Sequence, residues 1–166
     1  MTVFAIGTYI AILDRNSVPR LGQAWQNFYQ SGGTRGVYDD ELDVNISYTF
    51  AGFNYSGGSV DLQSASITAS LVMAHNSVSL SAFNAATDNQ DLLLVKSVWI
   101  DPETLAEQAG VYLRDMFVIL GFSHDLNRLN VRLGTPLEAV GAQTHRYLTS
   151  DLVGSLPPNG SLSILG

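Results

Sequence analysis

The stretch VNISYTF, residues 44–50, alternates without a break: Val44, Ile46, Tyr48 and Phe50 fall on one side, Asn45, Ser47 and Thr49 on the other. Successive side chains of an extended chain leave opposite faces, so a period of two marks a strand with one buried face. The pattern returns in ASITASLVM, residues 65–73, where Ala65, Ile67, Ala69, Leu71 and Met73 oppose Ser66, Thr68, Ser70 and Val72. It returns again in LNRLNVRLG, residues 126–134, where Leu129, Val131 and Leu133 interleave with Arg128, Asn130 and Arg132.

Other segments read as strands by residue type. Val3 to Leu13 is rich in β-branched and aromatic residues. It is too short to span a bilayer as a helix, which takes about 20 residues, and it lacks the basic start of a signal peptide. DLLLVKSVWI, residues 91–100, is the most apolar run and is expected at the centre of the sheet. GVYLRDMFVIL, residues 110–120, joins the last strand through GFSHD.

Between these lie segments of another kind. LGQAWQNFYQSGG, residues 21–33, carries a helical stripe of Leu21, Ala24, Trp25 and Phe28 and predicts a short helix or an irregular excursion. TRGVYDDELD, residues 34–43, reads as a loop with an acidic run, and Gly57-Gly58 as a hairpin or tight loop. Residues 74–90 read as a connector, with one short helical turn anchored by Val78, Leu80 and Phe83. Asp101 and Pro102 predict a cap and first turn of a brief helix through Gln108.

The tally is six or seven strands with one or two short helices. Strands do not alternate with long helices, which argues against a parallel α/β sheet. The expected fold is all-β, an antiparallel β-sandwich or barrel over residues 1–143. Residues 144–166 are expected to form an extended C-terminal arm, because Pro157-Pro158 cannot donate to a ladder.

Composition narrows the function. Of the 166 residues, 46% are hydrophobic and 14% charged, against about 25% charged in ordinary soluble domains. Such a surface suits a chain covered by neighbours. The net charge of −7 and the absence of a basic patch argue against specific nucleic-acid binding. There is no cysteine, so disulfides, thiol catalysis and cysteine-ligated metals are excluded.

Candidate chemistry is sparse. Ser123, His124 and Asp125 are consecutive, and adjacent side chains diverge, whereas a catalytic triad needs convergence. No G-x-S-x-G elbow or phosphate loop is present. His75, His124 and His145 lie far apart, without the spacing of a metal site on one element, and read as loop residues at strand ends. Asp39, Asp40, Glu41 and Asp43 offer oxygen ligands but not the D-x-[DN]-x-[DN]-G pattern of a calcium loop, and read as a solvated loop. Trp25, Tyr29, Tyr38, Phe53 and Tyr55, if exposed, would serve a carbohydrate-binding β-sandwich; as anchors they would serve a core or an interface.

The order of features carries a resemblance. A strand and turn (VNISYTFAGFNYSGGSVDL) lead to a Ser/Thr-rich strand (QSASITASLVMA), a connector of small residues, an apolar strand (DLLLVKSVWI) and a strand pair ending in NVRLGTPLEAVGAQ, followed by THRYLTSDLVGSLPPNG. Over residues 40–160 this resembles the tail-hub and minor tail proteins of long-tailed bacteriophages, the lambda-type tail-tip group. The nearest local likeness is at Thr135, Pro136, Leu137, Glu138 and Gly141. The chain departs from lambda-type proteins in lacking their cysteine-bearing C-terminal segment, so no iron–sulfur cluster is expected, nor the larger enzymatic domains of some hubs.

The resemblance implies a structural, non-catalytic part of the virion tail, assembled in the host cytoplasm. It implies no cofactor, metal or membrane. The expected partners are copies of the chain itself, as a trimer or hexamer, and other tail proteins. DNA would pass through an acidic lumen without specific binding, because like charges repel. The arm is expected to lie on an adjacent chain, with Arg146, Tyr147, Leu148, Thr149, Pro157 and Pro158 at the interface.

Overall fold

The computed structural model describes residues 5–29, 33–61 and 66–135. The expected arm, with Arg146, Tyr147, Leu148, Thr149, Pro157 and Pro158, lies outside the described residues. The described part is all-β with one helix. The strands are β1 (Ala5–Leu13), β2 (Pro19–Gln26), β3 (Thr34–Asp39), β4 (Val44–Phe50), β5 (Phe53–Asp61) and β6 (Ser66–Ala74), followed by helix α1 (Ser77–Asn89) and then β7 (Leu92–Ile100), β8 (Glu107–His124) and β9 (Arg128–Gly134).

They form one nine-stranded sheet in the order β3-β4-β2-β1-β7-β8-β9-β6-β5. Every ladder is antiparallel except β2 with β4, which run parallel through Trp25↔Thr49 and Gln26↔Phe50. The apolar run 92–100 is the middle strand, as its composition predicts, fifth of nine.

The connection from β4 to β5 is only Ala51-Gly52, yet these strands lie near opposite ends of the order. The sheet must therefore curl. Ala51 donates its N–H to the Gln26 carbonyl at 2.9 Å, and Gly52 accepts from the Ala74 N–H at 3.0 Å, so this link bonds to β2 on one side and to β6 on the other.

Curling creates two cores. Ile10, Ile12, Trp25, Phe53, Leu71, Met73, Leu93, Val95, Phe117, Ile119 and the β9 residues Leu129, Val131 and Leu133 fill the inner one, with α1 against them. The outer core sits where the β3–β4 hairpin folds over the other face: Tyr9, Ala11 and Leu13 of β1 and Leu94, Val98 and Ile100 of β7 meet Ile46 and Tyr48. β1 and β7 are thus buried on both faces, which is why they read as continuous apolar runs.

Four expectations change. Residues 21–26 are strand, not helix. Ala24 belongs to the outer core and Trp25 to the inner one, while Leu21 is fully exposed, so the supposed helical stripe points three ways. Residues 34–39 are strand β3, paired along its length with β4, not loop. Gly57-Gly58 makes an irregularity within β5 rather than a turn, since Ser56↔Ser70 is followed by Ser59↔Thr68. Residues 101–106 form the tight β7–β8 turn rather than a helix. The Asp101 carboxylate does accept from the Glu103 and Thr104 N–H groups, but Leu105 adopts φ 55° and the chain reverses into β8.

The connector 74–90 holds a full helix. Asn76 caps it: its Oδ1 accepts from the Ser79 N–H at 2.8 Å while Ser79 Oγ accepts from the Asn76 N–H at 3.2 Å. Gln90 ends it in the left-handed region at φ 56°. Its buried stripe is Ser79, Ala82, Phe83 and Ala86, an i, i+3, i+4, i+7 pattern. Phe83 stacks on Trp25 with centroids 5.9 Å apart, which seats the helix on the inner core.

Candidate functional site

Three places bring chemistry-bearing or unpaired groups together. The first is a buried ionic cluster under the β3–β4 hairpin. Lys96 of β7 and Arg114 of β8 are directly paired across the ladder. Like charges so placed repel. Asp39, at the end of β3, lies over both: Arg114 Nη2 donates to its Oδ1 at 3.2 Å and Lys96 Nζ stands 3.9 Å from its Oδ2. Glu41 takes a second bond from Arg114 at 2.6 Å, from a far more exposed position. Burial pushes the Asp39 carboxyl up. The Arg114 hydrogen bond, the Leu42 N–H and the two cations outweigh it and hold the group below the usual carboxylate range.

A second set of bonds clamps the same hairpin. Arg35 of β3 pairs with Glu107 of β8 at 2.9 Å and lies over the rings of Phe28 and Tyr29. Tyr9 donates its hydroxyl to the same Glu107 carboxylate. Burial, then this acid, raise the Tyr9 phenol well above its ordinary value; burial and nearby Asp39 do the same to Tyr48. These groups face one another across packed layers. Their chemistry is to fasten the hairpin onto β1, β7 and β8.

This corrects the reading of the acidic run as a solvated loop at Asp39 alone; residues 40–43 are a turn whose acids are exposed, as expected. Asp39 is 2% exposed, and Asp43 accepts a hydrogen bond from the Tyr38 hydroxyl. Asp40 stays exposed. Among the described residues no group of three or more His, Asp or Glu side chains is arranged to hold a metal.

The second place is the β8–β9 turn. His75, just after β6, stacks on His124 with ring centroids 5.2 Å apart and planes within 4°. The β6–β9 and β8–β9 ladders bring these distant residues level, through Ala74↔Arg128 and His124↔Leu129. Sequence spacing gave no sign of this pair. Asp125 turns its carboxylate to the N–H groups of Asn127 and Arg128 at 2.8 and 2.7 Å, which hold it below the usual range. Ser123 and His124 are successive strand residues and leave opposite faces of the sheet, so Ser123, His124 and Asp125 do not converge. His145 lies outside the described residues.

The third place is a groove of about 380 Å³ between the start of β2 and the N-terminal half of α1, lined by Leu21, Gly22, Gln23, Val78, Ser81 and Ala82. Leu21 is 100% exposed and Val78 64%. β2 pairs with β4 only at Trp25 and Gln26, so the margin of Arg20–Gln23 has no ladder partner among the described residues. Gly22 takes φ +72° there, a left-handed conformation that glycine adopts without strain. Arg20 is held by Asp91, with Nη2 to Oδ1 at 2.9 Å, and its side chain remains 39% exposed beside the groove.

The aromatic residues named for sugar stacking divide. Trp25 and Phe53 are core residues, 6% and 8% exposed. Tyr55 is half-buried against Phe117, and burial, with Asp115, pushes its hydroxyl up to about 12. Tyr29 lies under Arg35, and Tyr38 is exposed on the hairpin. They do not form one platform.

Among the described residues no helix is long and apolar enough to cross a membrane. No protein-family model, curated protein or solved structure matches this chain.

Proposed function

We propose that this chain is a structural component of a bacteriophage tail tip, an oligomeric hub or adaptor that joins the tail tube to tip or fibre proteins. The resemblance in feature order suggests the class. The observation that carries the reading is a pair of exposed apolar side chains on a doubly cored sheet: Leu21 and Val78 share one groove of mixed polarity beside Arg20–Gln23, a stretch of β2 with no ladder partner among the described residues. Exposed apolar residues are ordinary when scattered, whereas two that share a groove beside a strand margin with no ladder partner among the described residues suit cover by a partner chain. The buried ionic cluster serves the same end, because it stiffens the block without needing a ligand.

The competing reading, a carbohydrate-binding module, loses two of its five aromatic anchors to the core. Native mass spectrometry of the purified full chain tests the proposal. A discrete three- or six-fold species is expected. A clean monomer at micromolar concentration overturns it, and a saturable glycan-dependent change in tryptophan fluorescence would then favour the module.

A further inference from the structure

We propose that the β3–β4 hairpin is a hinged flap, latched at its tip by the charge of Asp39, and that acid releases it from the outer core while the rest of the sheet stays folded. This motion belongs to the domain alone and does not depend on the tail-tip reading.

The topology allows it. β3 is the outermost strand, and among the described residues β4 joins its neighbour β2 only through Trp25↔Thr49 and Gln26↔Phe50. β3 and β4 pair with each other from Thr34↔Thr49 to Asp39↔Val44. The hairpin can therefore swing about its root while the ladders from β2 through to β5 remain intact. A glycine lies beyond each end of it. Gly33 takes φ +127° before β3, a region that glycine enters without strain, and Gly52 follows β4 with open space beside its Cα.

The underside of the flap is held by charge at two points. Alternation in β3 turns Arg35, Val37 and Asp39 toward the sheet, while Thr34 and Tyr38 stay exposed. Ile46 and Tyr48 of β4 are buried beside them, and Tyr48 packs on Tyr9 with ring centroids 4.6 Å apart. Near the root Arg35 pairs with Glu107, which also accepts from the Tyr9 hydroxyl. At the tip Asp39 lies over Lys96 and Arg114.

The tip latch is strong in charge and poor in hydrogen bonds. Lys96 Nζ stands 3.9 Å from Asp39 Oδ2, beyond hydrogen-bond reach, and both that oxygen and Arg114 Nε are buried without a hydrogen-bond partner. Swinging the tip outward returns these atoms to water, so the closed state rests on the carboxylate charge set between two cations. Protonation of Asp39 removes that attraction and leaves Lys96 and Arg114 repelling each other across the β7–β8 ladder. Of the other acids at the tip, Glu41 is exposed and bonds Arg114, Asp43 is bonded to Tyr38, and Asp40 is exposed. Asp39 is held below the usual carboxylate range, so the latch is complete at neutral pH and fails as pH falls through that lowered value.

Amide exchange of the full-length wild-type chain tests the flap, with each rate corrected for the intrinsic effect of pH. At neutral pH the amides that bond β3 to β4 should exchange about tenfold or more faster than those of β7 and β9. In acid the hairpin amides should lose protection while β7 and β9 keep theirs. The absence of native cysteine adds a second reading. Ala11→Cys places a thiol in the outer core under the flap, and Val131→Cys places one in the inner core. The first should react with a thiol reagent about tenfold or more faster than the second, and Asp39→Asn should speed it by a further factor of about ten or more at neutral pH. Equal exchange of hairpin and core amides at every pH overturns the inference, because the hairpin then parts only with the whole fold. A hairpin that opens alone, but to the same extent in acid, at neutral pH and in Asp39→Asn, overturns the latch.

Discussion

Asp39→Asn is the most informative single change in the folded domain. In the native protein one carboxylate, 3% exposed at its side chain, neutralises two cations that face each other across the β7–β8 ladder. Asparagine keeps the shape and removes the charge. Among the described residues Lys96, 10% exposed at its side chain, then has no anion in contact, and Arg114 keeps only the exposed Glu41. Breaking a buried pair by removing one partner costs about 3–5 kcal/mol, because the remaining charge is buried and uncompensated. For a chain of this size each kcal/mol moves the melting temperature by about 2–4 °C, so a fall of about 6–20 °C is expected. Glu41→Gln, at a position whose side chain is 67% exposed, should cost under about 1 kcal/mol. Adding Lys96→Met to Asp39→Asn should recover part of the loss, since it removes the stranded cation, and a double-mutant cycle measures that coupling. The pH dependence has a definite sign. Asp39 titrates below its unfolded value, so its contribution is complete above the ordinary carboxylate range and is lost as pH falls through the lowered folded value. The gap between wild type and Asp39→Asn should therefore close in acid. A melting temperature unchanged within 1–2 °C (roughly the shift of half a kcal/mol), or strict additivity with Lys96→Met, would refute the clamp reasoning.

Three further changes probe other links. Phe83→Ala removes the fully buried ring that seats α1 on Trp25 and should cost about 3–5 kcal/mol in a urea melt, with quenching of α1 amide protection. Asn76→Ala breaks the capping box of that helix and should cost about 1 kcal/mol, with Asn76→Ser restoring most of it. Gly7→Ala places a Cβ 2.5 Å from the Phe28 ring, which is itself held between Tyr9 and Arg35; a loss of about 1–3 kcal/mol is expected, and relief by Phe28→Leu in the same background would identify the ring as the obstacle.

The strands that face one core were legible in the sequence. Residues 44–50, 69–74 and 128–134 have one apolar face, so local alternation carries the whole signal. The apolar run of β7 was read as central for an equally local reason. β2 was not legible, because Ala24 and Trp25 enter different cores and Leu21 enters neither. Helix α1 was hidden because its buried stripe is made of Ser79, Ala82 and Ala86 around one Phe83, and small residues carry little hydropathy contrast. β3 and the charge on Asp39 were misread together: an acid that is buried because two cations wait for it looks, in one dimension, like an acid in water.

What the chain determined alone is local: period-two ribbons, one continuous apolar run that sits mid-sheet, and a lack of cysteine that leaves these residues without disulfide or thiol chemistry. Tertiary structure decided everything that depends on residues distant in sequence. The two-residue β4–β5 link forces the sheet to curl, and that curl divides the apolar residues into two cores, lays Asp39 over Lys96 and Arg114, and leaves Leu21 beside Val78 at a margin with no ladder partner among the described residues. Pairing across a ladder is set by register, and register is settled by the whole sheet at once, not by any one of its strands.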